Sequence, residues 1–490
     1  MMDTKAGGFP GWQQNTEKLF NEDHGKNQED ADMSKGTVKT GNDRLPFWKP
    51  LAWSSRAVSL SLNVILMGYL TFYCTDIVGL SAATVGIVLL ISKLFDGFTD
   101  LIVGFIIEKT HTRLGKARPY ELFVIPLWIF TVMLFDIPEN MSASAAYIYI
   151  FVLYALANSV SYTFVSGNET VYLVRAFPGK EHQISLLAIN GSIVMIVAII
   201  FNIFFPQIVK TSGATHAGWV AIAFKMAVPL AIIGLFRFIF IKEVVPEDEV
   251  AREAQDRIRF SEMLRLIGKN KYTWILLGMV IIVNFISNMS AVATYYFKYI
   301  VGDIGLQSLP AMANILTPVI LLLFPLFCRK FGGTTGVLHI GMIVSLAGLI
   351  IRTAGGTNLV TLVIGSALFI VGSMPVTMMI ASYTAETMDY GEWKNGKRIE
   401  GPLNSVIAFG QKVGPAIASG VTGLVMGVAG YNGLAETQSA SASNAIVILY
   451  NWIPLILSIL AVLISRTWKM DKIMPRITTE LAERKGGKAE

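Results

Sequence analysis

The chain has 490 residues, of which 53% are hydrophobic and only 15% are charged. Soluble domains carry about 25% charged residues, so this deficit and the mean hydropathy of +0.55 exclude an ordinary soluble protein and indicate one that crosses a membrane many times. The net charge of +6 is spread over short segments between apolar runs, which excludes a nucleic-acid-binding patch.

The first 48 residues are polar and of mixed charge, most clearly from Asn21 to Asp32. They contain no early apolar core of the kind that marks a cleavable signal peptide. We therefore predict a disordered cytoplasmic tail over residues 1–48.

Twelve apolar runs of about 20 residues follow, and each is long enough to cross a bilayer as a helix. The first six lie near residues 51–75, 82–107, 119–137, 145–174, 183–209 and 217–241. The second six lie near 272–300, 308–329, 334–354, 358–387, 400–430 and 444–466. The runs predict an all-α membrane protein with two six-helix bundles, at residues 49–242 and 272–470, and a C-terminal cytoplasmic tail at 471–490.

Basic residues are concentrated in alternate connections between the runs. One set of connections holds Lys109, Arg113, Lys116, Arg118, Arg175, Lys180, Arg329, Lys330, Lys394, Lys397 and Arg398. The opposite set holds few, with Lys210, Lys298 and Arg352 as exceptions near the ends of runs. By the positive-inside rule this asymmetry predicts a multi-pass protein of the cell membrane with both termini in the cytoplasm.

The connection between the sixth and seventh runs, residues 243–271, is the longest and the most charged. Within it Ile258, Met263, Leu264 and Ile267 recur near helical spacing, which predicts a short amphipathic helix on the inner leaflet. A charged cytoplasmic linker between two six-span halves resembles the layout of major facilitator transporters, whose halves rock around a site near the membrane midplane.

The second run contains three charged residues, Lys93, Asp96 and Asp100. Asp96 and Asp100 are four residues apart, so both carboxylates project from one face of a helix, with Lys93 a turn earlier. Charges near the bilayer centre are costly and usually face a partner or a wet cavity. Two close carboxylates raise the affinity of the site for a proton or a monovalent cation, and Thr99 adds a hydroxyl. These residue types alone equally fit a structural salt bridge between Lys93 and Asp96.

The basic cluster after the second run is first of all a signal of topology. A gate in which Arg113, Lys116 and Arg118, together with Lys93, pair with acidic groups is the alternative interpretation. The chain has no phosphate-binding GxxxxGK[ST] loop, no HExxH, no CxxC and no pair of His residues at ligand spacing. We therefore predict no enzymatic activity, no cofactor, and no metal beyond a monovalent Na⁺ at Asp96 and Asp100.

Four stretches together resemble the glycoside–pentoside–hexuronide:cation symporters, the melibiose-permease-like branch of the major facilitator superfamily. The most specific is Asp389-Tyr390-Gly391-Glu392-Trp393-Lys394, followed by Gly396-Lys397-Arg398 and Glu400-Gly401. The others, in chain order, are the segments 73–80, 96–100 and 115–119. Together they cover the twelve-span core, about residues 50–470.

The resemblance implies roles for individual residues. The family's paired carboxylates, which bind Na⁺, Li⁺ or H⁺, fall on Asp96 and Asp100, with Thr99 at a neighbouring ligand position. The family's Tyr-Thr pair on the fourth span falls on Tyr162 and Thr163, and its lysine between the cation and sugar sites is matched to Lys394.

The sequence also departs from the family. Three charged sugar-binding positions fall on Leu60, about Gly167 and about Asn190, so the charges that grip the sugar are absent. Nearby Asn63, Asn168, Glu169 and Asn190 are candidates for a replacement polar set, and Glu169 stands out because an intramembrane acid is usually functional. Its alternative is a structural position at the inner end of the span, close to Arg175.

The sequence predicts a monomeric symporter that couples Na⁺ or H⁺ to a small polar solute, most simply a glycoside, and works by alternating access. One alternative is the transport of an amphiphile or an organic acid, because the sugar-gripping charges are missing. The other is a sensor without transport activity on the same fold.

Overall fold

The computed structural model describes residues 46–108, 110, 112–177, 179–244, 267–396 and 400–486. A few side chains within these ranges, Asp100 among them, lie outside the description. Residues 1–45 of the predicted N-terminal tail and most of the predicted amphipathic helix, including Ile258, Met263 and Leu264, also lie outside the described residues.

The described residues of the first half form six helical stretches at the positions of the predicted spans. They are α1 (Trp48–Ile77), α2 (Ala82–Glu108), α3 (118–134), α4 (Ala143–Ala176), α5 (Lys180–Ser212) and α6 (His216–Phe240). The second half forms α7 (Lys271–Val301), α8 (Ile304–Lys330), α9 (Gly333–Gly355), α10 (359–395), α11 (Glu400–Val428) and α12 (440–465). Nine helices in the described part of the chain are long and apolar enough to cross a membrane.

Several helices begin at a side-chain cap, which explains where the apolar runs become helical. Ser142, Thr215, Asn270, Asn358 and Ser439 each accept a hydrogen bond from a backbone N–H in the first turn of α4, α6, α7, α10 and α12, respectively. Such caps satisfy one of the four N–H groups that a helix start leaves without a partner.

Glycines allow two pairs of helices to approach at backbone distance. A Cβ at Gly423 of α11 would lie 2.6 Å from the Cα of Gly86 in α2. A Cβ at Gly365 of α10 would lie 2.6 Å from the carbonyl oxygen of Gly348 in α9. Helices in membranes use such small-residue contacts because lipid provides no hydrophobic driving force between them. The α2–α11 contact joins the two halves of the chain.

Two long helices are irregular. In α4, residues Ala155–Tyr162 form a π-helical segment, and α10 is interrupted at Met379 between Leu359–Met378 and Ile380–Asn395. π-Helical segments are rare and occur often at functional sites.

Most of the predicted C-terminal tail is a helix, α13 (Met470–Gly486). Its apolar residues Met470, Ile477 and Leu481 are buried in the second half, because they recur on one face at helical spacing. Glu480 accepts a hydrogen bond from Trp393 Nε1 at 2.6 Å, which ties α13 to the end of α10.

The chain order of the helices defines two ends of the molecule. The Asp76 end is where α1 ends at Ile77, and α7 reaches the same end through Lys298, which contacts Asp76. The linker end is the opposite one, where α6 ends and α7 begins on either side of the predicted linker.

Candidate functional site: a polar cavity between the two halves

A cavity of about 1040 Å³ lies between the two halves of the chain. Its walls come from α1, α2, α4 and α5 on one side and from α7 to α12 on the other. Small-molecule sites usually measure about 300–1,000 Å³, so this cavity lies at the upper end of that range.

The cavity wall is rich in amide side chains. The amides that line it are Asn158, Asn202, Asn284, Asn288, Gln307, Asn314 and Gln411. Each carries two N–H donors and an acceptor oxygen, which suits the hydroxyl groups of a polyol because a hydroxyl both donates and accepts. Aromatic rings, including Tyr154, Tyr162 and Phe369, supply flat apolar surfaces in the same wall.

Asp96 lies in this wall and contacts the π-helical segment of α4. Ser159 Oγ donates a hydrogen bond to Asp96 Oδ1. The Thr99 hydroxyl makes a hydrogen bond within its own helix, donating to the backbone carbonyl of Asp96 at 3.0 Å. The side chain of Asp100 lies outside the described residues, so the predicted carboxylate pair stays a prediction.

Two lysines from opposite halves lie in the cavity wall near Asp96. Lys93 Nζ donates to Ser419 Oγ at 2.7 Å and to Asn288 Oδ1 at 3.4 Å. Lys412 Nζ, on α11, donates to the backbone carbonyl of Asp96 at 3.3 Å. The stretch Lys93–Asp100 is therefore bonded to the second half of the chain through α7 and α11.

Of the residues matched to the family pattern, Tyr162 and Thr163 line the cavity and Lys394 does not. Thr163 Oγ1 donates to the carbonyl of Asn158 at 3.1 Å. Lys394 is exposed at the end of α10, where its Nζ donates to the carbonyl of Lys269 at 3.1 Å. Lys412, which the family pattern did not single out, is the lysine from the second half that donates to the backbone of Asp96.

The candidates for a replacement polar set also lie away from the cavity lining. Asn63 is buried within the first half and donates to Thr131 Oγ1 at 2.8 Å. Asn168 donates to the carbonyl of Ala117 at 2.6 Å. Asn190 lies on α5, and its buried Oδ1 has no hydrogen-bond partner among the residues that the structure describes.

Glu169 belongs to a buried cluster of charged residues inside the first half. Arg237 Nη1 donates to its carboxylate at 2.7 Å, and Arg56 forms a second ion pair with the same oxygen. Glu121 lies between the two arginines, at 3.5 Å from Arg56 Nε and 3.7 Å from Arg237 Nε. Two acids and two arginines balance in charge, and buried charges need such partners.

Arg175, the neighbour expected for Glu169, instead pairs with Glu243 at 2.6 Å. The Glu243 carboxylate also accepts from the backbone N–H groups of Lys116, Ala117 and Arg118 at 3.2, 2.7 and 2.8 Å. Burial opposes its ionisation, but the hydrogen bonds from Arg118, Arg175, Ala117 and Lys116 outweigh burial and lower the pKa of Glu243 below its ordinary value.

The predicted gating residues of the α2–α3 connection thus contact an acid, but mainly through their backbones. The Arg118 side chain donates to the carbonyl of Phe238 at 3.0 Å, and Arg113 is exposed in a turn. Gly115 has a φ of +111°, and a Cβ there would lie 2.5 Å from the Glu243 carboxyl carbon. The backbone of this connection therefore fits closely around Glu243.

At the Asp76 end, the two halves are joined by a cluster that sequence reasoning missed. Asp76 Oδ1 accepts from Lys298 Nζ and Tyr299 OH, both at 2.7 Å. Its Oδ2 accepts from Tyr431 OH at 2.6 Å and from Thr75 Oγ1 at 2.8 Å. One carboxylate on α1 thus holds α7 and the α11–α12 connection, and we call this group the Asp76 cluster.

A second contact joins the halves at the same end. Lys210 Nζ, at the end of α5, donates to Asp303 Oδ2 at 2.5 Å. This hydrogen bond from Lys210 lowers the pKa of Asp303. The signal available in the sequence was the placement of Lys210 and Lys298, two lysines on the side that is otherwise poor in basic residues.

A search of known families matches residues 57–472 to the family described as "MFS/sugar transport protein". The isoprimeverose transporter of Lactiplantibacillus pentosus is 32% identical over 462 residues, covering 88% of this chain and 92% of that protein. A glucuronide carrier protein homolog of Escherichia coli (strain K12) is 25% identical, covering 74% of this chain and 79% of that protein.

Among solved structures, a D-xylose-proton symporter superposes with a TM-score of 0.61 at 15% sequence identity. The superposition covers 86% of this chain and 97% of that one. At this identity the similarity concerns the fold, and it confirms the predicted major facilitator architecture of two helical bundles.

Proposed function

This chain belongs to the MFS/sugar transport protein family, within its glycoside–pentoside–hexuronide branch, and we propose that it is a symporter that carries a saccharide across a membrane together with a cation. The observation that carries the proposal is the amide-rich cavity of about 1040 Å³ between the two halves, with Asp96 in its wall. The curated relatives named as carriers of isoprimeverose and glucuronides support a saccharide as the solute.

In this proposal Asp96 binds the coupling cation, Na⁺ or H⁺, with Asp100, Thr99 and Thr163 as further ligands. The contact between Ser159 and Asp96 supports this role, because it links the carboxylate to α4, which also carries Tyr162 and Thr163. Binding of either cation neutralises charge at Asp96 and so changes its interaction with Lys93 and Lys412.

Lys412 is our candidate for the residue that couples the cation and the solute. It lies in the cavity wall, donates to the backbone of Asp96 and comes from the opposite half of the chain. The position of Lys394 outside the cavity supports this reassignment. For Asn63, Glu169 and Asn190 we propose structural roles within the first half, with no direct contact to the solute.

The solute reaches the cavity by alternating access in this proposal. The Asp76 cluster holds one end closed, so the present structure is a state closed at that end. The distribution of Lys and Arg supports a cell-membrane protein with the Asp76 end outside and both termini in the cytoplasm. The structure would then represent a state closed to the outside.

The test is uptake of labelled saccharides by proteoliposomes under an imposed Na⁺ or H⁺ gradient. We expect accumulation that follows one of the two gradients in the wild type and is lost in Asp96→Asn. Asp136→Asn is the matched control, because Asp136 is exposed and lies outside the cavity lining. Uptake that is independent of both gradients would refute the coupling.

A further inference from the structure

Three basic residues depart from the charge asymmetry of the sequence, and the structure distinguishes one of them. Lys210 pairs with Asp303, and Lys298 pairs with Asp76. The third, Arg352, lies near the end of α9 and forms no ion pair with an acid in the part of the chain that the structure describes. The contacts that join the halves at the Asp76 end explain the placement of Lys210 and Lys298. They do not explain the placement of Arg352.

Arg352 lies in the wall of the cavity and is only 8% exposed. Its Nη2 donates to the backbone carbonyl of Tyr450, and its guanidinium carbon lies 4.3 Å from the centre of the Tyr450 ring. Its Nε is buried and has no hydrogen-bond partner in the described part of the chain. Arginine has five N–H donors, so this buried, charged group in the cavity wall has an unused donor at Nε among the described residues.

The surroundings hold this guanidinium in place. The Tyr450 ring stacks on Tyr296 at 4.4 Å between ring centres, and Tyr296 OH donates to the carbonyl of Gly356 at 3.0 Å. On the other side, Gly365 brings α10 so close that a Cβ there would lie 2.7 Å from the Cβ of Arg352. A ligand group would therefore meet a donor that is already oriented, which reduces the ordering cost of binding.

The charge balance of the cavity also favours an anion. Its described wall contains three basic side chains, Lys93, Lys412 and Arg352, and one acid, Asp96. Both lysines form hydrogen bonds next to Asp96, whereas Arg352 binds at Tyr450, on α12. A buried charge without an opposite charge is unfavourable, and an anionic group on a ligand would remove this cost.

A purely structural role explains less of the geometry. The carbonyl of Tyr450 lies in the π-helical segment Ile448–Trp452, where the helix has an irregular hydrogen-bond pattern, and Arg352 satisfies it. A neutral donor of similar length would satisfy this carbonyl equally well. That interpretation does not explain why the residue here is charged or why its Nε is unused.

We propose that Arg352 is an anion-binding subsite and that the transported saccharide carries a carboxylate or a sulfonate group. The inference rests on the proposed transport of a saccharide and specifies its class. The planar guanidinium binds either anion through paired N–H donors. The amides of the wall, such as Asn284 and Asn314, take the hydroxyl groups of the same solute.

The experiment compares acidic saccharides with matched neutral ones. The probes are 4-nitrophenyl glucuronides and galacturonides of both anomers, each with its methyl ester and the corresponding glucoside or galactoside, and 6-sulfonated glucosides as a further arm. Binding to the purified full-length protein is measured by ligand-induced thermal stabilisation, and flux is measured by counterflow in proteoliposomes.

We expect the acid of a pair to bind about thirtyfold or more tightly than its ester, because truncating one partner of a buried charge pair typically costs this much or more. Arg352→Gln should remove the preference by weakening the acid only, and Arg352→Lys should retain part of it. Arg466→Gln is the matched control, since Arg466 is exposed and lies outside the cavity lining. The acid-to-ester ratio in the wild type tests the inference even if an Arg352 variant folds poorly.

The outcomes separate this inference from the proposed function. Cation-driven uptake of neutral glycosides with no preference for the acid would overturn the anion subsite and leave symport standing. Preferential binding of the acid that depends on Arg352, without accumulation under any cation gradient, would support the subsite and refute symport. Whether the carboxylate or the sulfonate arm binds more tightly identifies the anion.

Discussion

Replacement of Asp76 by Asn should shift the molecule toward a state that is open at the Asp76 end. The Asp76 carboxylate is buried and accepts four hydrogen bonds, from Lys298, Tyr299, Tyr431 and Thr75. Three of these donors lie on the second half of the chain, so their bonds to Asp76 form only while this end is closed. An amide in place of the carboxylate would lose the charge and one acceptor oxygen.

The size of the shift follows from the bonds that are lost. A hydrogen bond to a charged group contributes about 1.5–3 kcal/mol. The Lys298 side chain is 35% exposed, so solvent screening reduces the contribution of its bond to Asp76. We therefore expect Asp76→Asn to reduce the stability of the closed state relative to the open state by about 2 kcal/mol, which is a change of roughly thirtyfold in their equilibrium.

Distance measurements between spin labels test this shift directly. Labels at Glu139→Cys, in the α3–α4 connection, and Glu436→Cys, in the α11–α12 connection, report across the two halves, since both positions are exposed. The background replaces Cys74 and Cys328, the two native cysteines. The Asp76→Asn variant should populate a longer distance that is minor in the wild type.

Two comparisons make the interpretation specific. Lys298→Gln should produce a shift in the same direction. The shift in the double variant should be smaller than the sum of the two single shifts, because the two residues share one interaction. Asp136→Asn, an exposed acid at the same end, should leave the distances unchanged. If folded Asp76→Asn protein keeps the wild-type distances with and without solute, the Asp76 cluster does not stabilise the closed state.

The remaining predictions concern stability. Because the pKa of Glu243 is lowered, its stabilising contribution is complete above about pH 4.3, the ordinary value for Glu, and is lost as the pH falls through the folded-state value. The Tm of the wild type in detergent should therefore exceed that of Glu243→Gln at neutral pH and approach it on acidification, and a gap independent of pH would contradict the assignment. Gly423→Ala, whose methyl group would meet Gly86 at 2.6 Å, should lose about 1–3 kcal/mol. Gly191→Ala, whose new Cβ would meet no described atom within 4 Å apart from its chain neighbours and its own helix backbone, should show no loss of Tm. Equal effects of the two changes would refute close helix contact as the cause.

Hydropathy was sufficient to predict the helices, because an apolar span in lipid must satisfy its backbone N–H and C=O groups by hydrogen bonds within the segment, as a helix does. A special role for Asp96 could also be predicted from the sequence, since a charge inside an apolar run is visible without knowledge of its neighbours. The residues that contact Asp96 could not be predicted. Ser159 and Lys412 are separated from Asp96 by 63 and 316 residues, respectively, and the periodicity of one helix carries no information on such contacts.

The same limitation explains the two residues whose placement differs most from expectation. Lys394 was matched through a local motif, and the structure puts it at a helix end instead of in the cavity. Glu169 stood out as an intramembrane acid, but its partners Arg56 and Arg237 come from α1 and α6. Only the three-dimensional packing distinguishes an acid that binds a ligand from an acid that is neutralised by arginines.

The contact between Gly86 and Gly423 has a mechanical consequence for the coupling between the halves. Asp96 lies ten residues beyond Gly86 on the same helix, a lever of about 15 Å at 1.5 Å per residue. A rotation of about 10° around the glycine contact would displace Asp96 by roughly 2.6 Å, by the geometry of that lever. Such a displacement is comparable to the 3.3 Å that separates Lys412 Nζ from the carbonyl of Asp96. The glycine contact can thus serve as a fulcrum that converts a small tilt of one half into the loss or gain of a bond at Asp96.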